Sequence, residues 1–344
     1  MKKFTVFAIE TSCDETSTCV AENGNKILSL VTSSQIKIHS NFNGVVPELA
    51  SRAHIQNINS VAQKTLNSAK IDFLSFKKKI DAIAFTNGPG LAGALLVGNM
   101  FAKSLSAIYQ THLIPINHLE GHMFSAGIEN KNVSFPFLSL IISGGHTELI
   151  IVNDFGDYRA LGATRDDAVG EAFDKAAKML GFPYPGGPVI DKMSENGSAD
   201  NVKFTRPYLK NTWDFSFSGI KTALLNYLKN NPVKNEKHLR DICAGFSQAI
   251  ADTLIFKTFL AAKTFNLKKI VLGGGVSCNS LVRKMFLRQG KEENIKVFIP
   301  STVYCSDNAA MIAYAAYLKY KKFGLTYSKE ELKSEASLSI KSNC

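Results

Sequence analysis

The sequence predicts an α/β protein of two similar lobes, each with the element order βββαβα, that enclose a central cleft. Two stretches carry this prediction: FAIETSCDETSTCVA (residues 7–21) and LSLIISGGHTELIIV (residues 138–152). Each is typical of an apolar strand, a tight polar turn and a second apolar strand. Each is followed by a third predicted strand and then by helices, so the chain repeats one plan. The length of 344 residues also exceeds twice a domain of roughly 150 residues.

In the first lobe, short apolar and β-branched runs predict strands, and apolar residues at helical spacing predict helices. The long helix, for example, places Leu49, Ala53, Ile58 and Ala62 near one face. The predicted elements are strands 4–9, 17–22 and 27–33, helix 47–69, strand 80–85, helix 91–109 and strand 113–116.

In the second lobe, glycines follow short strands, as at residues 144–145 and 273–275. A strand, a glycine turn and a helix bring backbone amides close to a phosphate or carboxylate. The predicted elements are strands 137–142, 148–152 and 157–161, helices 167–180, 188–196, 218–229 and 239–265, strand 269–272, helix 279–289 and strand 296–299, and a last helix, 308–322, follows them in the chain. The predicted lobes are residues 1–133 with 309–327, and residues 134–308; residues 328–344 are a polar tail expected to fray.

Composition limits the function classes. With 45% hydrophobic and 20% charged residues, the chain is neither disordered nor fibrous. The 40 Lys and Arg exceed the 29 Asp and Glu by 11, which favours a polyanionic partner or a merely lysine-rich surface. The six cysteines include no CxxC pair, which disfavours a zinc ribbon. The apolar run 4–9 is too short for a signal peptide, and no run approaches the ~18 apolar residues of a membrane span, so we expect a cytoplasmic protein with no membrane partner.

Two histidines in HLEGH form the first candidate site. His118 and His122 are four residues apart, so on a helix they point the same way and can share a metal ion, unless the spacing is chance. A zinc peptidase of the HExxH type would have Glu directly after the first His. Here Glu120 is two residues on, about 200° around the helix, and points away. Asp307, in CSDNAAM, is either a third ligand or, like Ser306, a helix cap.

Glycine loops form the second candidate site. Ser143-Gly144-Gly145 is typical of an anion-binding turn or of an ordinary hairpin. Gly273–Gly275 would let a flat ligand such as adenine lie against bare backbone, with Asn279 able to bond to it and to cap the next helix. Asp166, Asp167 and Asp174 would face ribose hydroxyls, an ion or solvent. In PGGPVID, Gly187 brings backbone close to a neighbour and Asp191 follows within a turn.

Ten stretches between residues 8 and 313 stand in a fixed order: AIETSCDETS, GVVPELASRAH, TNGPGLAGALLVG, INHLEGH, LIISGGHTEL, GEAFDKAAKMLG, PGGPVID, FSFSGIKTA, VLGGGVSCN and CSDNAAMIA. Together they resemble the universal tRNA adenosine threonylcarbamoyltransferase family, whose bacterial members are called TsaD and were formerly described as O-sialoglycoprotein endopeptidases. The resemblance implies the two-lobed fold of the actin, Hsp70 and sugar-kinase (ASKHA) superfamily. It implies transfer of threonylcarbamoyl from threonylcarbamoyl-adenylate to N6 of adenosine 37, beside the anticodon, in tRNAs that read codons beginning with adenine.

The resemblance also implies two ligand sets. One divalent ion per chain, Fe(II) in preference to Zn(II), would be held by His118, His122 and Asp307. The adenylate, or ATP, would be held by Ile141, Ile142, Ser143, Gly144, Gly145, Asp174, Gly187, Asp191 and Asn279. The adenine amine is a poor nucleophile that a base would assist, and of Glu10 and Asp14 in the first turn we predict Glu10 as the catalytic base.

The partners implied are tRNA, a paralogous TsaB-type subunit, a TsaE-type ATPase and a TsaC-type synthase that supplies the adenylate. We predict that the paralogue contacts an apolar face near Val46, Leu49, Ile55 and Ile58, unless that face packs inside the lobe. Six lysines are candidates for contacts with tRNA phosphates, unless they are merely solvated: Lys77, Lys78, Lys79, Lys319, Lys321 and Lys322. The alternatives are a phosphotransferase of the same superfamily, a metallopeptidase and a non-catalytic scaffold.

Overall fold

The computed structural model describes residues 3–72, 74–327 and 331–340. Its strands are β1 (Thr5–Glu10), β2 (Glu15–Glu22), β3 (Lys26–Ser34), β4 (Ala82–Gly88), β5 (His112–Asn117), β6 (Phe137–Ile142), β7 (Thr147–Asp154), β8 (Asp157–Ala163), β9 (Lys269–Gly273) and β10 (Lys296–Phe298). Its α-helices are α1 (Ile36–His39), α2 (Pro47–Ser68), α3 (Phe76–Lys79), α4 (Ala92–Tyr109), α5 (His118–Phe124), α6 (Val169–Met179), α7 (Gly186–Ser194), α8 (Ser218–Asn230), α9 (Glu236–Thr264), α10 (Ser280–Glu292), α11 (Thr302–Cys305) and α12 (Ala309–Phe323).

Two five-stranded sheets form in the described part of the chain, and they share one topology. The first has the order β3-β2-β1-β4-β5 and the second the order β10-β9-β6-β7-β8. In both, an antiparallel hairpin (β1 with β2, β6 with β7) joins parallel strands (β1 with β4, β6 with β9). The predicted α/β fold with a repeated βββαβα plan is therefore confirmed.

The chain divides into two compact units. The first unit comprises the described residues up to Val133, Asp154–Tyr158 and those from Thr302 onward; the second comprises Ser134–Asn153 and Arg159–Ser301. Residues 302–308 are predicted in the second lobe, but in the structure they belong to the first unit together with α5.

Each unit has its own apolar core beside its sheet. In the first unit, Phe7 and Phe85 from the sheet pack with Ile58 of α2 and Phe76 of α3. In the second, strands β6, β7 and β9 pack against α6, α8, α9 and α10 around Phe173 and Phe246. Because these strands are buried on both faces, they form nearly continuous apolar runs instead of alternating ones.

The prediction that the tail frays is wrong for residues 331–340. Glu335 N donates to Asn87 O at 2.8 Å, and Gly90 N donates to Ala336 O at 3.0 Å, so this segment lies against the first unit. The rest of the predicted tail, 328–330 and 341–344, is outside the described residues. Within that description, no helix is long and apolar enough to cross a membrane.

Candidate functional site

Helix α5 carries both histidines and has a firmly fixed start. Asn117 Oδ1 accepts a hydrogen bond from Leu119 N at 2.9 Å, and Glu120 Oε2 accepts one from Asn117 N at 3.3 Å. These two bonds form a capping box, which satisfies otherwise unpaired amides of the first turn. Every residue of the helix is buried. The rotation of α5, and with it the direction of both imidazoles, is therefore set by its cap and its packing.

His118, His122 and Asp307 lie together in the first unit. Their candidate ligand atoms are all within 4.8 Å of one another. Asp307 Oδ1 is 3.1 Å from His122 Nε2 and 3.5 Å from His118 Nε2. The residue that caps α12 is Asn308, whose Oδ1 accepts from Met311 N at 3.0 Å. Of the two alternatives for Asp307, the structure thus favours a ligand position over a helix cap.

Glu10, at the end of β1, is fully buried beside His118. Its carboxylate accepts hydrogen bonds from Ser12 N and Thr86 Oγ1, both at 2.5 Å, and Oε2 is 3.1 Å from His118 Nδ1. Burial raises the pKa of Glu10, but His118 and the hydrogen bonds outweigh burial and leave that pKa below its usual range. Because Glu10 accepts from Nδ1–H of His118, Nε2 is the nitrogen that faces Asp307.

The two imidazoles differ in their electrostatics. Burial lowers the pKa of His118, but the carboxylates of Asp307 and Glu10 outweigh it and raise the pKa to about 9. Burial also lowers the pKa of His122, and there the carboxylates do not compensate. His122 Nδ1 is buried and has no hydrogen-bond partner within the described residues.

This donor set fits a divalent ion. Two imidazole nitrogens and one carboxylate oxygen are ligands that zinc and non-haem Fe(II) accept, with positions left open for a substrate. A carboxylate behind a ligating histidine, as Glu10 stands behind His118, is the usual outer partner of such a site.

Glu120 has no part in this cluster. Tyr158 Oη donates to Glu120 Oε1 at 2.9 Å, and burial raises the pKa of this carboxyl despite the charge of Lys319 nearby. The side chain thus points away from the histidines, as the helical spacing predicts.

Glu15 is a residue near the cluster that the sequence did not indicate. Its pKa is well above the usual range because of burial and of the nearby Asp307 and Asp14 carboxylates.

The second unit brings two glycine loops together at the ends of β6 and β9. Ile141 pairs with Gly273 across these parallel strands. A Cβ atom on Gly274 would lie 2.4 Å from Ile142 O, and the φ of Gly274 is +92°. Gly144 and Gly145, by contrast, have no heavy atom within 4 Å of the Cβ position, apart from their own chain neighbours.

The other predicted nucleotide residues surround these loops and lie in the same unit. Asp174 Oδ1 accepts from Gly186 N at 2.7 Å and so holds the first turn of α7. Asp191 accepts from Ser280 N and, at 2.8 Å, from Ser280 Oγ, which ties α7 to α10. Asn279 Oδ1 accepts from Val282 N at 3.0 Å and caps α10, while its Nδ2 is buried and without a partner among the described atoms. The Cβ position of Gly187 is open.

One surface prediction is wrong, and some of the lysines predicted at the tRNA surface have partners within the protein. Ile58 is 4% exposed and belongs to the core of the first unit, because it lies on the inner face of α2. Lys319 donates to Pro115 O at 2.9 Å and lies over the Tyr327 ring, and Lys322 pairs with Asp154 at 2.7 Å, so both already have partners within the protein. The apolar residues that α2 and α4 expose are Ile55, Leu96, Met100 and Ile108.

Comparisons with known proteins show the family of this chain. Residues 26–314 match the model of the family described as TsaD: tRNA N6-adenosine threonylcarbamoyltransferase. A protein of that name from Endomicrobium trichonymphae is 67% identical over 335 residues, which are 97% of this chain and 98% of the relative. One from Clostridium perfringens (strain ATCC 13124) is 46% identical over 345 residues, covering 100% of this chain and 98% of the relative.

Two solved structures with a similar fold are far more distant in sequence. HypF of T. kodakarensis superposes with a TM-score of 0.64 at 16% identity, over 96% of this chain and 49% of that protein. Component A of the (R)-2-hydroxyglutaryl-CoA dehydratase of Acidaminococcus fermentans gives a TM-score of 0.54 at 16% identity, over 92% and 99%. These similarities concern the fold alone, and they agree with the predicted α/β fold of two similar units.

Proposed function

We propose, because this chain belongs to the TsaD family of tRNA N6-adenosine threonylcarbamoyltransferases, that it transfers threonylcarbamoyl from threonylcarbamoyl-adenylate to N6 of the adenosine beside the anticodon. The observation that carries the proposal at the level of residues is the buried cluster of His118, His122 and Asp307 with Glu10 behind it. A phosphotransferase of the same fold does not require this cluster. A peptidase of the HExxH type requires a base where Glu120 is turned away.

His118 and His122 would hold one divalent ion through Nε2, and Asp307 through a carboxylate oxygen. Fe(II) suits two histidines and one carboxylate with open positions, and Zn(II) is the second choice. When bound, the ion would act as a Lewis acid on the carbonyl oxygen of the transferred group. The protein's own contribution is to orient the ligands: Glu10 accepts from Nδ1–H of His118, which leaves Nε2 as the ligand atom once its proton is displaced.

Glu10 is better placed to position His118 than to take a proton from the adenine amine. A general base has to reach the proton that it removes. Glu10 has no exposed surface, and its carboxylate already accepts from Ser12, Thr86 and His118. Its lowered pKa also makes it a weak base. We therefore keep Glu10 in the proposed site as a positioning residue.

The adenylate would bind in the second unit along Ile141, Ile142, Ser143, Gly144 and Gly145. Support for this comes from the open space at Gly144, Gly145 and Gly187, which lets a phosphate or a base approach bare backbone. The unpartnered Nδ2 of Asn279 is a donor that a ligand would satisfy. Asp174 and Asp191 hold the surrounding turns in place, and their carboxylates are of the type that ribose hydroxyls bind.

The proposed partners are tRNA, a TsaB-type paralogue, a TsaE-type ATPase and a TsaC-type synthase in the cytoplasm. The net charge of +11 suits tRNA. For the paralogue we propose the surface formed by Ile55, Leu96, Met100 and Ile108, because each is more than half exposed. Large apolar side chains at such exposure indicate a protein contact when they are grouped.

The test is a reconstituted reaction. The chain, its partner proteins, tRNA, threonine, bicarbonate and ATP are incubated, and tRNA nucleosides are analysed by mass spectrometry. We expect threonylcarbamoyladenosine with the wild-type chain and none with His118→Ala. His112→Ala, at an exposed histidine outside the cluster, is the matched control and should react normally. Unmodified tRNA with the wild-type chain, or full activity of His118→Ala, would contradict the proposal.

A further inference from the structure

The segment Glu331–Ile340, which we call the strap, lies across the ends of β4 and β5. Besides its two main-chain bonds with Asn87 and Gly90, it presents backbone carbonyls to three asparagine side chains. Asn87 Nδ2 donates to Glu331 O at 3.1 Å, Asn99 Nδ2 to Leu332 O at 3.0 Å, and Asn117 Nδ2 to Leu338 O at 3.4 Å. The three asparagines come from three different elements and bind the strap mainly through its backbone, and Asn99 Nδ2 also donates to the Ser334 side chain, to Oγ at 2.8 Å.

Gly88 shows how closely the strap is fitted. A Cβ atom on Gly88 would lie 2.1 Å from Glu335 O and 2.7 Å from Leu338 Cβ, so any side chain there would push the strap away. Gly88 is also the partner of Asn117 in the parallel pairing of β4 and β5. Along the strap, Leu332 and Leu338 are partly buried while Ser337 is exposed. Leu332 packs against the apolar core of the first unit.

Asn117 joins the strap to the helix of the metal cluster. Its Oδ1 caps α5 at Leu119 N, and its Nδ2 reaches Leu338 O. One side chain amide therefore binds the strap with one end and the start of α5 with the other. His118 follows Asn117 directly, and His122 is one turn further along.

We propose that the strap is a positioning element of the metal site: by holding Asn117, it fixes the start of α5 and hence the direction of His118 and His122. The metal part of this inference rests on the proposed function. The docking of the strap does not, because it is a property of the chain without any ion. A change in an outer support of a metal site typically costs about 10- to 100-fold in metal affinity.

The first test alters the strap itself, far from the ligands. Leu338→Asp places a charge on its inner side, and Ser337→Asp places the same charge on the exposed neighbour. In metal-free protein, hydrogen exchange should quicken for residues 331–340 and for α5 in Leu338→Asp and stay at the wild-type rate in Ser337→Asp. Affinity for Co²⁺, measured by competition with a chelator, should fall about tenfold in Leu338→Asp alone. Released strap amides with unchanged α5 exchange and unchanged Co²⁺ affinity would overturn the inference.

The second test alters the link. Asn117→Ser keeps an oxygen that caps a helix well and removes the Nδ2 donor to Leu338. Asn235→Ser is the control, because Asn235 caps α9 at His238 N and belongs to the second unit. Faster exchange of α5 and weaker Co²⁺ binding are expected for Asn117→Ser only, and equal behaviour of the two variants would refute the link. If the wild-type chain binds no Co²⁺ at all, the proposed metal site fails, and hydrogen exchange still decides whether the strap holds α5.

Discussion

The Oε2 atom of Glu10 lies 3.1 Å from the Nδ1 atom of His118, so the first strand of the chain supports a histidine more than a hundred residues later. Ser12 N and Thr86 Oγ1 hold the same carboxylate from two further elements. Such a fixed carboxylate selects one tautomer of the imidazole and leaves Nε2 as the ligand atom. The arrangement makes the role of Glu10 testable apart from the chemical step.

Glu10→Ala should lower metal affinity about 10- to 100-fold while the chain stays folded, because His118 loses the partner that orients it. Glu10→Gln keeps an oxygen that can accept from Nδ1–H and should lose less. Glu22→Gln is the control: Glu22 ends β2 and pairs with Lys3 and Lys26, outside the cluster. Metal content and affinity are measured by elemental analysis and chelator competition. Unchanged affinity of Glu10→Ala would show that the carboxylate does not support the site.

Much of the fold could be read from the sequence because each lobe repeats strong local signals. The hairpin around Ser143 and the glycines after β9 are such signals, and both stand where they were predicted. The exposed face of α2 could not be read so surely. Ile55 and Ile58 are three residues apart, yet Ile55 is 62% exposed and Ile58 is 4% exposed, since only the packing of α2 decides where its wide apolar face ends.

The strap could not be predicted for a different reason. Most of its hydrogen bonds run through main-chain atoms, such as those of Glu331, Glu335 and Leu338, and backbone recognition leaves no periodic pattern in side chains. A signal was available in the residues of the first unit that the strap contacts. Buried asparagines such as Asn99, 2% exposed, need hydrogen-bond partners, and a search for those partners would have pointed to a further segment of chain.

Two neighbouring glycines should behave differently on substitution. Gly274→Val should destabilise the second unit, because its φ of +92° and the approach of Ile142 O leave no place for a side chain. Gly275→Val should fold, since no heavy atom lies within 4 Å of its Cβ position beyond its chain neighbours, and should weaken adenine nucleotide binding. Thermal unfolding and titration calorimetry distinguish the two. Normal nucleotide affinity in a folded Gly275→Val would remove this loop from the proposed adenylate site.

Leu96→Asp should abolish the complex with a TsaB-type paralogue without unfolding the chain. Leu96 is 56% exposed on α4, so a charge there should change the stability of the free protein little. The same charge would weaken binding strongly if it were buried in an apolar interface. Leu287→Asp is the matched control, because Leu287 is 45% exposed on α10 of the second unit. Ile58→Asp should fail to fold. Complex formation is measured by size-exclusion chromatography with light scattering, and a stable complex with Leu96→Asp would place the partner elsewhere.

Asp166 should confer stability that depends on pH in a defined direction. Its carboxylate accepts from Ser216 Oγ at 2.6 Å, Ser218 Oγ at 2.7 Å and Phe217 N at 2.8 Å, and so holds the start of α8. Burial raises the pKa of Asp166, but these hydrogen bonds outweigh burial and leave the pKa below its ordinary value of 3.8.

A lowered pKa in the folded state means that the stabilisation by Asp166 is complete above the pKa of the unfolded state. It is lost as the pH falls through the pKa of the folded state. Asp166→Ala should therefore lower the free energy of unfolding at pH 7 by less than about 1 kcal/mol, because Asp166 is exposed and solvent screens its interactions, and by still less as the pH falls below about 4. Asp200→Asn, at a carboxylate whose side chain is 93% exposed, should change the free energy of unfolding little at any pH in this range. Urea unfolding of the three proteins from pH 3 to pH 7 measures these free energies. A difference between wild type and Asp166→Ala that stays constant with pH would contradict the stabilising role of the ionised Asp166.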